Sequence, residues 1–249
     1  MKNSSEYIKS KNNIKGIFWD FDGTLVDTHQ KNYNVTKRIV KKVTKQSPER
    51  FPVLKSIQSY QQALRKSINW RDFYQNHFDL KFDQIDYAGS LWTQSQLSDN
   101  TPAPVFSEIP KILEIFKHLN HGIISQNSRK LIDKIITENN LQKYFNVIVG
   151  YEEVGLRNQK PDPAGFLIGI KKVQSQISGI YVYIGDHETD ILFAHNVNSY
   201  FKENQINSKI FTIATHYQST SKRETWSLTP DFHAYSVADL EVILSKNFV

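Results

Sequence analysis

The hydrophobic pattern divides the chain in three. Residues 1–13 are polar, and residues 14–20 form an apolar run that ends in a carboxylate. Residues 28–100 are rich in glutamine and lysine and offer no convincing strand. In that block apolar positions recur at helical spacing near 30–46, 53–68, 70–78 and 83–97, broken by SPERFP and by Asp and Gly residues. NTPAPV, residues 100–105, is a proline-marked return linker. Beyond it the pattern alternates. Residues 108–119 place Ile109, Ile112, Leu113 and Phe116 on one helical face. GIIS (122–125), NVIVG (146–150), IYVYIG (180–185) and KIFTIA (209–214) read as short buried strands. Helical stretches follow at 128–139, 163–173, 190–197 and 237–244.

Strands alternating with helices of this length predict an α/β fold: a Rossmann-like parallel sheet core with helices on both faces. The helical block interrupts that core after its first strand, so it reads as an inserted all-helical cap domain. The expected organisation is a flexible leader over 1–13, an α/β core over 14–27 and 104–249, and the helical cap over 28–103.

Composition narrows the chemistry. The 249 residues include no cysteine, which removes disulfides, thiolate metal sites and Cys nucleophiles. No apolar run is long enough to span a bilayer, and the N-terminus lacks the apolar stretch of a secretory signal, so a cytoplasmic protein is expected. The net charge of +6 is uneven: residues 28–79 hold eleven Lys/Arg against three acids, which leaves the remainder slightly acidic. A basic segment on a nearly neutral body suggests an anionic partner, either a phosphorylated metabolite or a nucleic acid.

Four predicted strand ends carry suggestive polar groups, and ligands of open α/β sheets bind beyond the carboxyl ends of the strands. The first is IFWDFDGTLVDT, residues 17–28. Asp20 and Asp22 are two apart, so on an extended segment they face one way. Gly23 permits a sharp turn and a close approach, and Thr24 adds a hydroxyl. The second is Ser125, with Asn127 two residues on, where a hydroxyl and a helix N-terminus could take an anion. The third is Lys160 in QKPDP, a compact cation suited to phosphate. The fourth is YIGDHETD, in which Asp186 and Asp190 lie four apart on one helical face. Carboxylates converging on one point need a cation, and oxygen-only donors select a hard one, pointing to Mg²⁺. A nucleophile, a metal, a lysine and hydroxyl donors around one phosphoryl group are the parts for transfer through an aspartyl-phosphate.

DFDGTLVD, a strand-ending Ser, KPDP and GDHETD, in this order, resemble the four motifs of the haloacid dehalogenase-like hydrolase superfamily. The resemblance is to its phosphoglycolate-phosphatase-like branch with a helical cap, and covers about residues 14–30 and 105–195. It implies that Asp20 is the nucleophile and a metal ligand, and that Asp22 is the general acid/base and gives its main-chain carbonyl to the metal. Ser125, Asn127, Lys160, Gly23 and Thr24 would hold the phosphoryl group, with Asp186 on Mg²⁺ and Asp190 on it through water or on Lys160. Asp27 is expected to cap the first cap helix, and His121, His187 and His195 to be packing or surface residues. Tyr60, Trp70, Tyr74 and Trp92 are expected in the cap core. The chain departs from the family after the fourth motif, where Asn196 or Asn198 stands at the expected Gly, and in the long polar stretch 215–226.

The function that follows is a Mg²⁺-dependent phosphatase acting on a small phosphorylated metabolite: phosphoglycolate-like, a sugar or a nucleotide monophosphate. The partners are that substrate and no membrane, with the chain a monomer or homodimer. A phosphomutase is the rival within the fold. A dehalogenase would need neither metal nor the second acid, and a phosphonatase would need a Schiff-base lysine in the cap. A nucleic-acid-binding protein using the basic cap is the rival from another class, but the basic residues lack a recognisable motif with interleaved aromatics.

Overall fold

The computed structural model describes residues 14–155, 157–174, 177–217 and 226–248. The leader, and most of the polar stretch after residue 215, lie outside the described residues. The chain forms two compact units, one running up to Leu25 and resuming at Val105, the other spanning Val26–Pro104.

The first unit is built on a parallel sheet of six strands: β1 Ile14–Trp19, β2 Asn120–Ile124, β3 Val147–Val149, β4 Gly179–Gly185, β5 Ser208–Thr215 and β6 Phe232–Ala234. Their order is β3-β2-β1-β4-β5-β6. The central strands are continuous apolar runs because a parallel sheet is covered on both faces. Alternate residues supply each face. Phe18, Ile124, Val149, Tyr181 and Tyr183 pack with Phe166 and with Phe193, Val197 and Phe201. Ile17 and Trp19 alternate to the opposite face, where Trp19 Nε1 donates to His121 Nδ1 at 3.1 Å. His121 Nε2 in turn donates to the Phe116 carbonyl at 3.0 Å, so the buried imidazole is a neutral packing residue.

The second unit holds helices α1 His29–Thr44, α2 Ile57–Lys66, α3 Trp70–Phe78 and α4 Phe82–Ser98. The core helices are α5 Ile109–Ile115, α6 Arg129–Glu138, α7 Tyr151–Val154, α8 Ala164–Val173, α9 Glu188–Glu203 and α10 Val237–Asn247. Val35, Ile39, Tyr60, Phe73, Tyr74, Phe78 and Ile85 form a core of their own in the second unit, with Trp70 and Trp92 packed against it. Its helices begin on local caps: Ser56 Oγ accepts from Ser59 N, and Asn69 Oδ1 accepts from Arg71 N and Asp72 N. Asp27 accepts from His29 N at 3.3 Å and so ties the entry to α1, although the N-cap position itself is Thr28.

Four features differ from the sequence expectation. Helix α5 ends at Ile115 instead of continuing to 119, and residues 116–118 form a turn. Helix α9 runs to Glu203 instead of ending near 197, and Asn198 explains both its length and the missing glycine. Its Nδ2 donates to the Ile210 carbonyl and its Oδ1 accepts from Ile210 N, each within 2.9 Å, clamping the helix to β5. Strand β6 is only three residues long, too short to show alternation. Helix α7 is a single turn, closed by Glu153 accepting from Gly150 N. Among the described residues no helix is long and apolar enough to cross a membrane.

Candidate active site

Strand order reverses direction between β1 and β4, and that switch point is where open α/β sheets place ligands. Asp20 leaves β1 there, its N–H donating to the Ile184 carbonyl of β4 at 2.8 Å. Asp186 leaves β4 beside it. Gly23, at φ 75°, brings its backbone so close to Asp186 that a Cβ would overlap the carboxylate. Glycine is required at that position on both counts. Gly185 is similarly crowded, a Cβ there overlapping the Asp190 carboxylate.

Lys160 is the hub. Its Nζ lies 2.5 Å from Asp20 Oδ1, 2.6 Å from Asp190 Oδ1 and 3.1 Å from Tyr183 Oη. The backbone around it is held from two directions: Gln126 Nε2 donates to the Lys160 carbonyl, and Asn196 Nδ2 donates to the Pro161 carbonyl. Asp190 has a double role. One oxygen meets Lys160, while Oδ2 accepts from His187 N and so closes the first turn of α9.

Carboxylate oxygens of Asp20, Asp186 and Asp190 lie within 4.8 Å of one another. Burial drives the Asp20 pKa up to about 7, Asp190 and Asp22 adding to the rise and Lys160 opposing it. Burial and then the charges of Asp20, Asp190 and Asp22 push Asp186 well above the usual carboxylate range, although the residue is part-exposed. Burial works against the Lys160 ammonium, but Asp190 and Asp20 outweigh it and hold the pKa well above that of an ordinary lysine. The site thus has more negative charge than its own cation answers. Asp186 makes no hydrogen bond or ion pair among the described residues, and the fully buried Thr24 Oγ1 has no partner among them either. An all-oxygen donor set with surplus charge and an unengaged carboxylate fits a hard divalent cation.

Asp22 and Asn127 pair with each other. Asn127 Nδ2 sits 3.1 and 3.0 Å from the two Asp22 oxygens. Asn127 Oδ1 accepts from Ser128 N, and its own N–H donates to Ser125 Oγ. Grouped with the phosphate ligands on sequence grounds, Asn127 here orients Asp22 and links it to Ser125. The Asp22 side chain stands outside the carboxylate trio. Ser125 follows β2 directly and is buried, its N–H donating to the Val149 carbonyl. The N-terminus of α6 is already occupied: Glu152 accepts from Ser128 Oγ and Arg129 N, each at 2.8 Å. Glu152 thus already answers the start of α6 that the sequence offered to an anion beside Ser125.

Tyr183, Gln126, Asn196 and His187 were not among the sequence candidates. Tyr183 had a readable signal: a tyrosine in the middle of a buried strand needs a polar partner, and its hydroxyl bridges Lys160 and the Ile124 carbonyl. His187 caps α9, its Nδ1 accepting from Thr189 N.

The family model for haloacid dehalogenase-like hydrolases matches residues 17–202. No curated protein matches the sequence. Among solved structures, a predicted phosphatase from Clostridium acetobutylicum superposes with a TM-score of 0.73 at 16% identity, over 94% of this chain and 100% of that one. A haloacid dehalogenase-like hydrolase from Streptococcus pneumoniae gives 0.68 at 18%, over 93% and 98%. A predicted phosphoglycolate phosphatase from Haemophilus somnus gives 0.63 at 18%, over 93% and 98%. At these identities the likeness shows a shared fold.

Proposed function

The chain belongs to the haloacid dehalogenase-like hydrolases, and from that premise we propose that it is a Mg²⁺-dependent phosphatase acting on a small phosphorylated metabolite through an aspartyl-phosphate. The observation that carries the reading is the carboxylate trio of Asp20, Asp186 and Asp190 around one engaged lysine. Asp20, Asp186 and the Asp22 main-chain carbonyl are the groups that would hold Mg²⁺, with Asp190 behind them on Lys160. When bound, the ion screens the carboxylates and stabilises charge on the transferring phosphoryl group.

The chain's own residues then divide the work. Lys160 and Ser125 hold the phosphoryl oxygens, and Gly23 and Thr24 line the approach. Asp20 attacks phosphorus with its free oxygen; an O–P bond forms and the ester P–O bond breaks. Asp22, kept in place by Asn127, gives a proton to the departing alkoxide. Asp22 then takes a proton from water, which attacks the aspartyl-phosphate. The bond between phosphorus and Asp20 breaks, releasing inorganic phosphate and regenerating both acids. Lys160 neutralises Asp20 throughout, and Tyr183 and Asp190 hold its ammonium in line.

The test is a panel of phosphoglycolate-like, sugar and nucleotide monophosphates incubated with Mg²⁺, followed by phosphate release with and without a chelator. Release that needs Mg²⁺ and no bisphosphate activator supports hydrolysis. Transfer back to the substrate would make the enzyme a mutase, and no turnover of any ester would contradict the reading.

A further inference from the structure

One buried hydroxyl beside the site remains unused by the scheme above. Strand β5 lies next to β4 with Ala214 opposite Gly185, so Thr215 ends β5 level with Asp186 and Tyr217 follows two residues beyond. The Tyr217 ring is part-exposed, but its hydroxyl oxygen is buried and has no hydrogen-bond partner among the described residues. Its ring packs edge-on against Phe106, centroids 5.2 Å apart, and Phe106 N donates to the Leu25 carbonyl in the loop that follows Asp22. Tyr217 is thus held, through Phe106, beside the loop that follows β1, two residues past the end of β5, the neighbour of β4. Burial, and next the charge of Asp186, raise its pKa, so the phenol stays a neutral donor. Asp186 also lacks a hydrogen-bond partner among the described residues.

A buried donor and a carboxylate acceptor, both without a partner among the described residues and carried past the same ends of neighbouring strands, complement each other. A buried polar group left without a partner costs about 1–3 kcal/mol. No direct hydrogen bond joins them, and a bridging water is nearly as good enthalpically as a direct contact. We propose that Tyr217 is a positioning residue for the cation site, its hydroxyl donating through one water molecule to Asp186 when a divalent ion occupies the carboxylate cluster. Outer partners of this kind fix the orientation of a metal-ligating carboxylate. The inference rests on the metal reading above and adds to it a residue outside the four motifs.

The experiment is Mg²⁺ titration of the whole protein by calorimetry, without substrate, for the wild type and Tyr217→Phe, with melting temperatures in chelator and in excess Mg²⁺. Phenylalanine keeps the ring and its packing on Phe106, so the variant should melt in chelator at the wild-type temperature or above it. Its Mg²⁺ dissociation constant should rise about tenfold or more, the usual cost of losing an outer partner. The Mg²⁺-induced rise in melting temperature should shrink with it. A change below about threefold overturns the inference and leaves the metal reading intact. A wild type that binds no Mg²⁺ overturns both.

Discussion

Lys31 and Lys160, the buried lysines among the described residues, sit in contrasting company. In the helical unit Lys31 meets Asp99: its Nζ lies 2.5 Å from the Asp99 carbonyl and 3.6 Å from Asp99 Oδ1. Arg38 pairs with the other Asp99 oxygen, and Thr101 N donates to Oδ1. Both cations there face a carboxylate within the unit, and Arg38 is half-exposed to water as well. In the sheet unit Lys160 faces Asp20 and Asp190 directly, with Asp22 acting on Asp20 and Asp186 in the same negative cluster. The ion pair of the helical unit closes on itself, whereas the carboxylate cluster of the sheet unit is left with charge to spare, which suits the cation and phosphate proposed for it. Such an imbalance costs stability, and functional sites are where such costs concentrate.

The contrast can be broken most severely at Asp20. Asp20→Asn keeps the shape of the side chain and removes its nucleophilicity, so turnover should fall by about 10⁴-fold or more, measured as phosphate release on the best substrate. Near-normal turnover would remove Asp20 from the chemistry. Next is the closed pair. Asp99→Ala keeps the carbonyl that accepts from Lys31 but removes the carboxylate facing Lys31 and Arg38, and should destabilise the protein by about 3–5 kcal/mol in urea unfolding, while Mg²⁺ affinity stays unchanged.

A smaller effect comes from His121, whose buried ring has its pKa pushed down to about 4 by desolvation. The unfolded chain takes up a proton near 6.5 that the folded chain refuses until about 4. Stability should therefore be unaffected above that window and fall by up to about 3 kcal/mol as pH drops through it. His121→Asn should flatten this part of the urea-midpoint profile; an equal slope in both proteins would assign it to other groups. The smallest effect has the opposite sign to that at Asp99. Asp186→Asn removes one like charge from the surplus and should stabilise the metal-free protein by about 1–2 kcal/mol, while abolishing stabilisation by Mg²⁺. Destabilisation of the metal-free form would mean that the surplus is answered in some other way.

What could be read from the sequence was what short spacings encode. Asp20 and Asp22 at i, i+2, and Asp186 and Asp190 at one helical turn, declare their shared direction without any tertiary information. Five of the six strands declared themselves because parallel strands are apolar throughout, whereas β6, three residues with His233 exposed, gave no such signal. The partners that complete the site could not be read this way. Asn127 meets Asp22 across 105 residues of sequence, and Tyr183 meets Lys160 through a strand whose hydroxyl looks like core. The length of α9 was hidden because an Asn-rich stretch reads as a helix end, until Asn198 is seen bonded to Ile210. Lys31 could not be told from the exposed lysines of its own helix, because only Asp99, 68 residues away, explains its burial.

The central claim is that Asp20 carries the phosphoryl group. It is tested most directly by acid-quenching the enzyme during turnover of radiolabelled substrate with Mg²⁺, then mapping the label by peptide sequencing and mass spectrometry. The account predicts label on Asp20, absent in chelator and absent from Asp20→Asn. Label on any other residue, or steady phosphate release from Asp20→Asn, would contradict it.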